Sequence, residues 1–186
     1  FIEILNYCKN SKNINLKCLS VHIGSQILDY RPYKKMLTVI SKVLDKINYK
    51  FEFIDLGGGM GISYDDDNKK LNYRKYNSII EKFLQKHKSK IIFEPGRSII
   101  GNAGILISKV IYIKDSERKS FIILDAAMND LMRPALYGAS HRILPSIKKN
   151  KKSNKIYEFV GPICESTDKF KTLKKFQKLQ EKDVIA

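Results

Sequence analysis

The stretch Phe-Glu-Phe-Ile-Asp-Leu-Gly-Gly-Gly, at residues 51–59, predicts a buried strand that ends in a glycine turn. A short apolar run that stops at glycines is typical of such a strand. Three successive glycines, with Gly61 close behind, allow the backbone to approach a ligand and to point its N–H groups at an anion. The spacing is that of neither a P-loop nor a dinucleotide-binding fingerprint. A tight structural turn explains the glycines equally well, so this motif alone leaves the function open.

Two further strands are predicted around this one, Leu16–Val21 before it and Ile91–Phe93 after it. Both intervals contain apolar stripes at helical spacing, the first after Asp29 as a helix cap and the second after a polar loop at residues 65–68. The stripes consist of Tyr33, Met36, Leu37, Ile40, Val43, Leu44 and Ile47, and of Tyr76, Ile79, Ile80, Phe83 and Leu84. A strand-to-strand repeat of about 35 to 40 residues is that of βαβ units with a parallel sheet. The loops with distinctive motifs all follow strands, which is where a (β/α)₈ barrel places its active site.

The pattern changes after Gly104. Strands are predicted at Ile105–Ile113, Phe121–Leu124 and Ile156–Val160 without a helical stripe between the first two, and residues 173–181 are predicted as a helix or loop before a last strand. The predicted fold class is therefore α/β, with the C-terminal part of a (β/α)₈ barrel at residues 1–104 and the start of a β-rich domain at residues 105–186.

The charge balance is strongly basic, with 35 Lys and Arg against 19 Asp and Glu and a formal net charge of +16. This balance is compatible with a nucleic-acid partner. Only six of the basic residues are arginines, however, and the lysines are spread over helix faces and a loop at residues 148–152. Zinc-finger spacing, RNP-like strands and a helix-turn-helix pattern are absent from the sequence. We therefore interpret the charge as a solvated lysine-rich surface and predict no nucleic-acid partner.

Cysteine usage gives a prediction about the compartment. Cys8, Cys18 and Cys164 are far apart and form no CxxC pair, which argues against a disulfide framework and a zinc site and favours a reducing, cytoplasmic location. No run of residues approaches the ~18 apolar positions that a membrane span needs. The chain begins at Phe1 and ends in apolar residues, so we expect an internal piece of a longer protein.

Two other strand ends carry polar motifs. Glu94-Pro95-Gly96-Arg97 combines a carboxylate, a glycine that opens the following amides to a phosphate, and a guanidinium that can bind a carboxylate or phosphate with two hydrogen bonds. A surface ion pair on a Pro-Gly turn is the alternative. His22, in His-Ile-Gly-Ser-Gln, also follows a strand, although a lone histidine is more often structural than catalytic, and Ser25 could either bind an anion or close a turn.

The second half of the chain contains two more candidate motifs. The segment 125–137 includes Arg133 and Tyr137, which lie four residues apart and would share one face of a helical turn. Gly-Pro-Ile-Cys-Glu-Ser, at residues 161–166, sets the thiol of Cys164 beside the carboxylate of Glu165. Taken alone, a free cysteine of this kind is a small buried hydrophobic residue.

The ordered combination of these motifs resembles the fold-type III, alanine-racemase-like decarboxylases that use pyridoxal 5′-phosphate (PLP). Met-Asn-Asp-Leu-Met-Arg-Pro-Ala-Leu-Tyr at residues 128–137 and Cys-Glu-Ser at residues 164–166 are similar to the diaminopimelate decarboxylase family in particular. The resemblance spans about residues 16–186. It implies the decarboxylation of meso-2,6-diaminopimelate to L-lysine and CO₂, the last step of lysine biosynthesis, in a homodimer with shared active sites and without a metal.

The resemblance also implies a role for each motif. His22 would stack on the pyridine ring, Glu94 would pair with the ring nitrogen, and the cofactor phosphate would be held by Ser25, Gly59 and the Pro95-Gly96-Arg97 turn. The substrate would be bound by Arg97, Arg133, Tyr137 and Glu165. Cys164, entering from the partner subunit, would be the proton donor, and His22 is the other residue expected to be catalytic.

One part of the family pattern is missing from this sequence. The lysine that binds the cofactor lies in a Tyr-Ala-x-Lys-Ala-Asn-like motif on an early barrel strand, and no such motif occurs here. We therefore expect a longer parent protein to be the enzyme and the 186-residue chain to be inactive by itself. Two alternatives stay open: a related decarboxylase of ornithine, arginine or carboxynorspermidine, and a catalytically dead homologue that binds a partner protein.

Overall fold

The computed structural model describes residues 1–64 and 69–186, so the polar loop predicted at residues 65–68 lies outside the described residues. The described chain divides into two units, residues 1–63 with 69–103, and residue 64 with 104–186. The elements of the first unit are α1 (Ile2–Asn10), β1 (Cys18–Ser20), α2 (Tyr30–Lys46), β2 (Phe53–Asp55), α3 (Tyr73–His87), β3 (Lys90–Ile92) and α4 (Arg97–Ile100).

The sheet of the first unit is parallel, in the order β1-β2-β3. Leu19 is opposite Ile54, and Ile54 is opposite Ile91, so the three predicted strands pair with their sequence neighbours. β1 and β2 are shorter than the apolar runs that predicted them, and β3 begins one residue earlier than predicted, because a strand extends only where its neighbour provides partners. The parallel order places all three carboxyl-terminal loops at one edge of the sheet.

The two predicted amphipathic helices are confirmed. Asp29 caps α2 by accepting the backbone N–H of Arg31 at 2.9 Å, and Asn72 caps α3 by accepting that of Lys75 at 3.0 Å. The predicted stripes supply the core of the unit, in which the fully buried Tyr33 ring meets the edge of Tyr76 at 4.8 Å between ring centroids. The helical spacing of apolar residues therefore predicted which faces are buried.

A titratable contact between α2 and α3 gives a pH prediction. The Ser41 hydroxyl lies 2.8 Å from Nε2 of His87 and accepts the ammonium of Lys86 at 3.0 Å. Burial, with repulsion from Lys86, holds the pKa of His87 below its ordinary value of 6.5, and the opposing attraction of Asp45 is weaker. The unfolded chain then takes up the proton more readily than the folded one. This contribution to stability is present in full above pH 6.5 and is lost as the pH falls through the folded pKa.

We expect His87→Gln to reduce the fall in melting temperature on acidification between about pH 8 and pH 5. The measurement is a series of thermal melts of the full-length protein and of the variant across that range. If the variant lost stability as steeply as the wild type, the pH dependence would belong to other groups.

The second unit contains β4 (Ser108–Asp115), β5 (Lys119–Leu124), α5 (Arg133–Tyr137), β6 (Ile156–Val160), β7 (Lys169–Leu173) and β8 (Val184–Ile185). They form a five-stranded sheet in the order β7-β6-β5-β4-β8, in which β5 and β6 are parallel and the other pairs antiparallel. Alternate residues of β5 are buried, namely Ser120, Ile122 and Leu124, and Phe159 of β6 is fully buried in the same core. This regular alternation is that of a strand with one face on the core.

In the second unit, one predicted strand has different bounds in the structure and one strand was not predicted. Residues 105–107 are apolar, yet they are exposed and precede β4, because pairing with β8 starts only where Ser108 meets Ile185. Residues 174–181 form a loop, which was one of the two predicted alternatives, but no strand was predicted at residues 169–173, where the lysine-rich β7 pairs with β6 alone. Lysines are common on edge strands, and they mask the apolar alternation that would have predicted this one.

Within the part of the chain that the structure describes, no helix is both long and apolar enough to cross a membrane.

Candidate active site

The predicted site residues fall into two sets, one in each unit. The first set lies in the loops after β1, β2 and β3 and comprises His22, Ser25, Gly59 and residues 94–97. The second set lies in the second unit and comprises Arg133, Tyr137, Cys164 and Glu165.

Backbone contacts join the three loops of the first set. The N–H of Gly58 points at Nδ1 of His22, at 3.4 Å, and the N–H of Glu94 donates to the carbonyl of Gly57 at 2.9 Å. A Cβ on Gly58 would lie 2.2 Å from the carbonyl oxygen of Glu94, so a side chain there would push the loops apart. The structure thus brings His22, the triple glycine and Glu94 together at one sheet edge, as the sequence predicted.

Two buried side chains, those of Asp55 and Tyr33, also hold the glycine turn in place. The Asp55 carboxylate is buried at the end of β2 and accepts the N–H of Gly57 at 2.8 Å and the hydroxyl of Ser20 at 2.9 Å. The hydroxyl of Tyr33 donates to the carbonyl of Gly58 at 3.1 Å, and burial raises the pKa of Tyr33 to about 12, so this donor keeps its proton at any physiological pH. Gly59 takes a left-handed φ of +88°, and a Cβ there would lie 2.3 Å from the carbonyl oxygen of Gly24.

Gln26 is a residue of this set that the sequence reasoning left without a role. Its Oε1 accepts Nη1 of Arg97 at 2.9 Å and lies 3.3 Å from the N–H of Ile62. It therefore fixes the guanidinium that follows β3 to the loop that follows β1. Its position inside the His-Ile-Gly-Ser-Gln motif was the only signal that could have found it.

The end of β3 exposes groups that can receive an anion and a cation. The side chain of Glu94 is exposed, and a Cβ placed on Gly96 would meet no heavy atom within 4 Å. Gly96 is the N-cap of α4, and its carbonyl accepts the N–H groups of Ile99 and Ile100. A ligand could thus reach the backbone of the turn without a side chain in the way, and the exposed Glu94 carboxylate is free of steric cover on the same turn.

In the second unit, α5 confirms that Arg133 and Tyr137 share one face. The Arg133 guanidinium lies 5.0 Å from the centroid of the Tyr137 ring, a cation–π distance. Nε of Arg133 is buried, and no group among the described residues accepts its hydrogen. Since an unsatisfied buried N–H is costly, this guanidinium is suited to an anionic ligand.

Cys164 and Glu165 are exposed in the loop between β6 and β7. The Glu165 carboxylate accepts the N–H of Thr167 at 3.2 Å, the Ser166 hydroxyl at 3.0 Å and the Thr167 hydroxyl at 3.3 Å. These hydrogen bonds lower the pKa of Glu165, and the bond from the backbone N–H of Thr167 has the largest effect. The carboxylate is therefore ionised at neutral pH. The exposed position of Cys164 makes the thiol accessible, in contrast to the buried structural cysteine that was its alternative interpretation.

Among the described residues, no group of three or more His, Cys, Asp and Glu side chains is arranged to hold a metal ion.

Residues 15–186 match the family described as pyridoxal-dependent decarboxylase, C-terminal sheet domain. The chain therefore belongs to the pyridoxal-dependent decarboxylase family.

Individual relatives agree with this assignment. The chain is 38% identical to the diaminopimelate decarboxylase of Aquifex aeolicus over 183 residues, which is 97% of this chain and 43% of that protein. It is 39% identical to that of Zymomonas mobilis over 180 residues, 94% of this chain and 42% of the relative. The crystal structure of diaminopimelate decarboxylase from Helicobacter pylori complexed with L-lysine has a TM-score of 0.85 at 35% identity, covering 99% of this chain and 46% of that one. The chain thus spans less than half the length of each of these three relatives.

Proposed function

We propose that a polypeptide containing this chain decarboxylates meso-2,6-diaminopimelate to L-lysine and CO₂ with PLP as cofactor, in the last step of lysine biosynthesis. One observation carries the proposal: His22, the triple glycine and Glu94 meet at the carboxyl edge of a parallel sheet. Similarity to diaminopimelate decarboxylases supports the choice of substrate, and the Helicobacter pylori relative is complexed with L-lysine, the proposed product.

The carboxyl edge of the parallel sheet also supports a proposal about the fold of the whole protein. The first unit, with its β-α-β order and loops at the carboxyl ends, is proposed to be the C-terminal part of a (β/α)₈ barrel at residues 1–104. Residues 105–186, with the five-stranded sheet, are proposed to be part of the β-rich domain that follows it. The unpaired cysteines support a reducing compartment, so a cytoplasmic location is proposed.

The residues present fit the proposed cofactor. Glu94 is an exposed carboxylate suited to a protonated pyridine nitrogen, and His22 offers a planar ring held by the Gly58 N–H. The open backbone at Gly96, with Arg97 next to it in the chain and Gly59 and Ser25 on neighbouring loops, is suited to a phosphate. When bound, PLP supplies an electron sink for the carbon that loses CO₂.

The chain's own residues then have separable tasks. Glu94 would hold a proton on the ring nitrogen. The Cys164 thiol would donate a proton to the substrate carbon that loses CO₂. Arg133, whose Nε–H is unsatisfied among the described residues, binds the distal carboxylate, and Tyr137, Glu165 and Arg97 complete the proposed substrate contacts. Diamine-forming relatives act on substrates without a distal carboxylate, so Arg133 favours diaminopimelate. The proposed assembly is a homodimer in which Cys164 serves the site of the opposite subunit.

The proposal is tested by assaying the full-length protein with meso-diaminopimelate, ornithine and arginine, following CO₂ release and identifying the amine product. We expect L-lysine from meso-diaminopimelate at a kcat/KM at least about a hundredfold above that for the other two substrates. A preference for ornithine or arginine would assign a different decarboxylase. Absence of turnover with all three would support the catalytically dead homologue.

A further inference from the structure

Asp168 is a buried carboxylate for which the proposed function gives no role. The residue is only 3% exposed, and it lies four positions after Cys164 in the same loop. Its Oδ1 accepts the backbone N–H of Met128 at 2.7 Å, and its Oδ2 accepts that of Ile163 at 2.9 Å. The carboxylate therefore holds two backbone segments that are far apart in the sequence.

The chain around this carboxylate is shaped to receive it. A Cβ on Gly161 would lie 2.2 and 2.5 Å from the two carboxylate oxygens, so any larger residue would displace the side chain of Asp168. The N–H of Gly161 donates to the carbonyl of Asp168, and the N–H of Asp168 donates to that of Glu165, both at 3.0 Å. The loop thus closes around its own aspartate.

The two segments joined in this way are those with the proposed reactive and binding groups. Ile163 directly precedes Cys164. Met128 lies in the turn before α5, where Asp130 accepts the N–H of Ala127 at 2.8 Å, and that turn leads to Arg133. We propose that Asp168 is a positioning residue that sets the loop of Cys164 against the segment of Arg133. This inference rests on the proposed function.

Only an ionised or equivalent two-oxygen acceptor satisfies both amides. A carboxylate accepts on each oxygen, whereas the amide of Asn presents one acceptor and one N–H₂ donor. In Asp168→Asn, the side-chain NH₂ would therefore face one of the two backbone N–H groups, and two donors cannot form a hydrogen bond. Either Met128 or Ile163 would lose its contact, although the side chain has nearly the same shape.

The experiment uses full-length Asp168→Asn, with Asp183→Asn as the matched control. Asp183 is also a partly buried carboxylate that accepts a backbone N–H, that of Gln180 at 2.9 Å, but it pairs with Lys149 outside both segments. We expect kcat to fall and KM for meso-diaminopimelate to rise by about tenfold each in Asp168→Asn, because a misplacement near 1 Å can cost a hundredfold in kcat/KM. The control should keep both constants within about twofold.

A second readout does not depend on activity. Amide hydrogen exchange of Met128 or Ile163 should accelerate at least about tenfold in Asp168→Asn, and exchange of the amides in the strands of the sheet should stay at the wild-type rate. A purely structural role would lower the active fraction, and with it the apparent kcat, while KM stayed unchanged. Gly161→Ala serves as a second variant, since it retains the charge and displaces the carboxylate, and it should give the same combined change in kcat and KM.

The outcomes separate the two proposals. Wild-type kinetic constants in a soluble Asp168→Asn or Gly161→Ala protein would overturn the positioning role, as would an unchanged KM. If neither variant is soluble, amide hydrogen exchange in the wild type is the deciding measurement. Exchange rates of Met128 and Ile163 close to those of an unstructured peptide would overturn the positioning role. A wild-type enzyme without activity toward meso-diaminopimelate would overturn the proposed function, and the amide-exchange comparison would then test the Asp168 contacts alone.

Discussion

In the full-length protein, Glu94→Gln is expected to lower kcat by about two to four orders of magnitude. A neutral amide cannot hold the proton on the pyridine nitrogen, so the ring would lose electron demand at the moment CO₂ leaves. The position of the side chain would survive the change, since the backbone N–H of Glu94 is held by the carbonyl of Gly57 at 2.9 Å. Steady-state kinetics with meso-diaminopimelate at saturating PLP measures the effect.

Two further variants sharpen this test. Glu94→Asp should be milder, because the charge is retained while the reach is shortened. Glu52→Gln is the matched control: Glu52 directly precedes β2, at the opposite edge of the same sheet, and pairs with Lys90 at 3.2 Å. It should leave kcat within about twofold, as surface ion pairs contribute little. Near-normal kcat in Glu94→Gln would contradict the assignment of Glu94 to the ring nitrogen.

Cys164→Ala should abolish most activity by itself, and it should regain activity when mixed with a variant that lacks the cofactor lysine. If Cys164 serves the opposite subunit, a hybrid dimer has one site with both lesions and one site with neither. With random exchange in a two-fold dimer, half of the dimers are hybrids, so about a quarter of wild-type sites should return. A proton donor must lie within about 3 Å of the group it serves, or reach it through one water, so only cross-subunit placement restores a site by mixing.

The mixing experiment needs proof that subunits exchange, which differently tagged subunits and co-purification provide. Exchange without recovery above the separate variants would show that Cys164 acts within its own chain or is not the donor. Ser166→Ala is a suitable comparison, because it keeps the thiol and removes only one of the three hydrogen bonds to Glu165. It should leave most of kcat intact and give no complementation pattern.

The first unit was predictable because its signals are local. Asp29 as a cap, the stripe that begins at Tyr33 and the apolar run before Gly57 each depend on spacing within one segment. The parallel order followed from the alternation of these segments, since consecutive βαβ strands pair as neighbours. Strand ends and β7 were harder, because they depend on partners elsewhere in the chain rather than on the residues of the strand itself.

By itself, therefore, the sequence determined the α/β class, the buried faces of α2 and α3, the family and the set of loops that make up the candidate site. Local periodicity and ordered motifs encode these properties, so they can be predicted without knowledge of any long-range contact. Only the tertiary structure decided that Gly58 points its N–H at His22, that Gln26 meets Arg97 and that Asp168 joins Met128 to Ile163. These pairs are separated by up to 71 residues, and their geometry depends on strand register and on the return path of loops, neither of which a pattern within one segment contains.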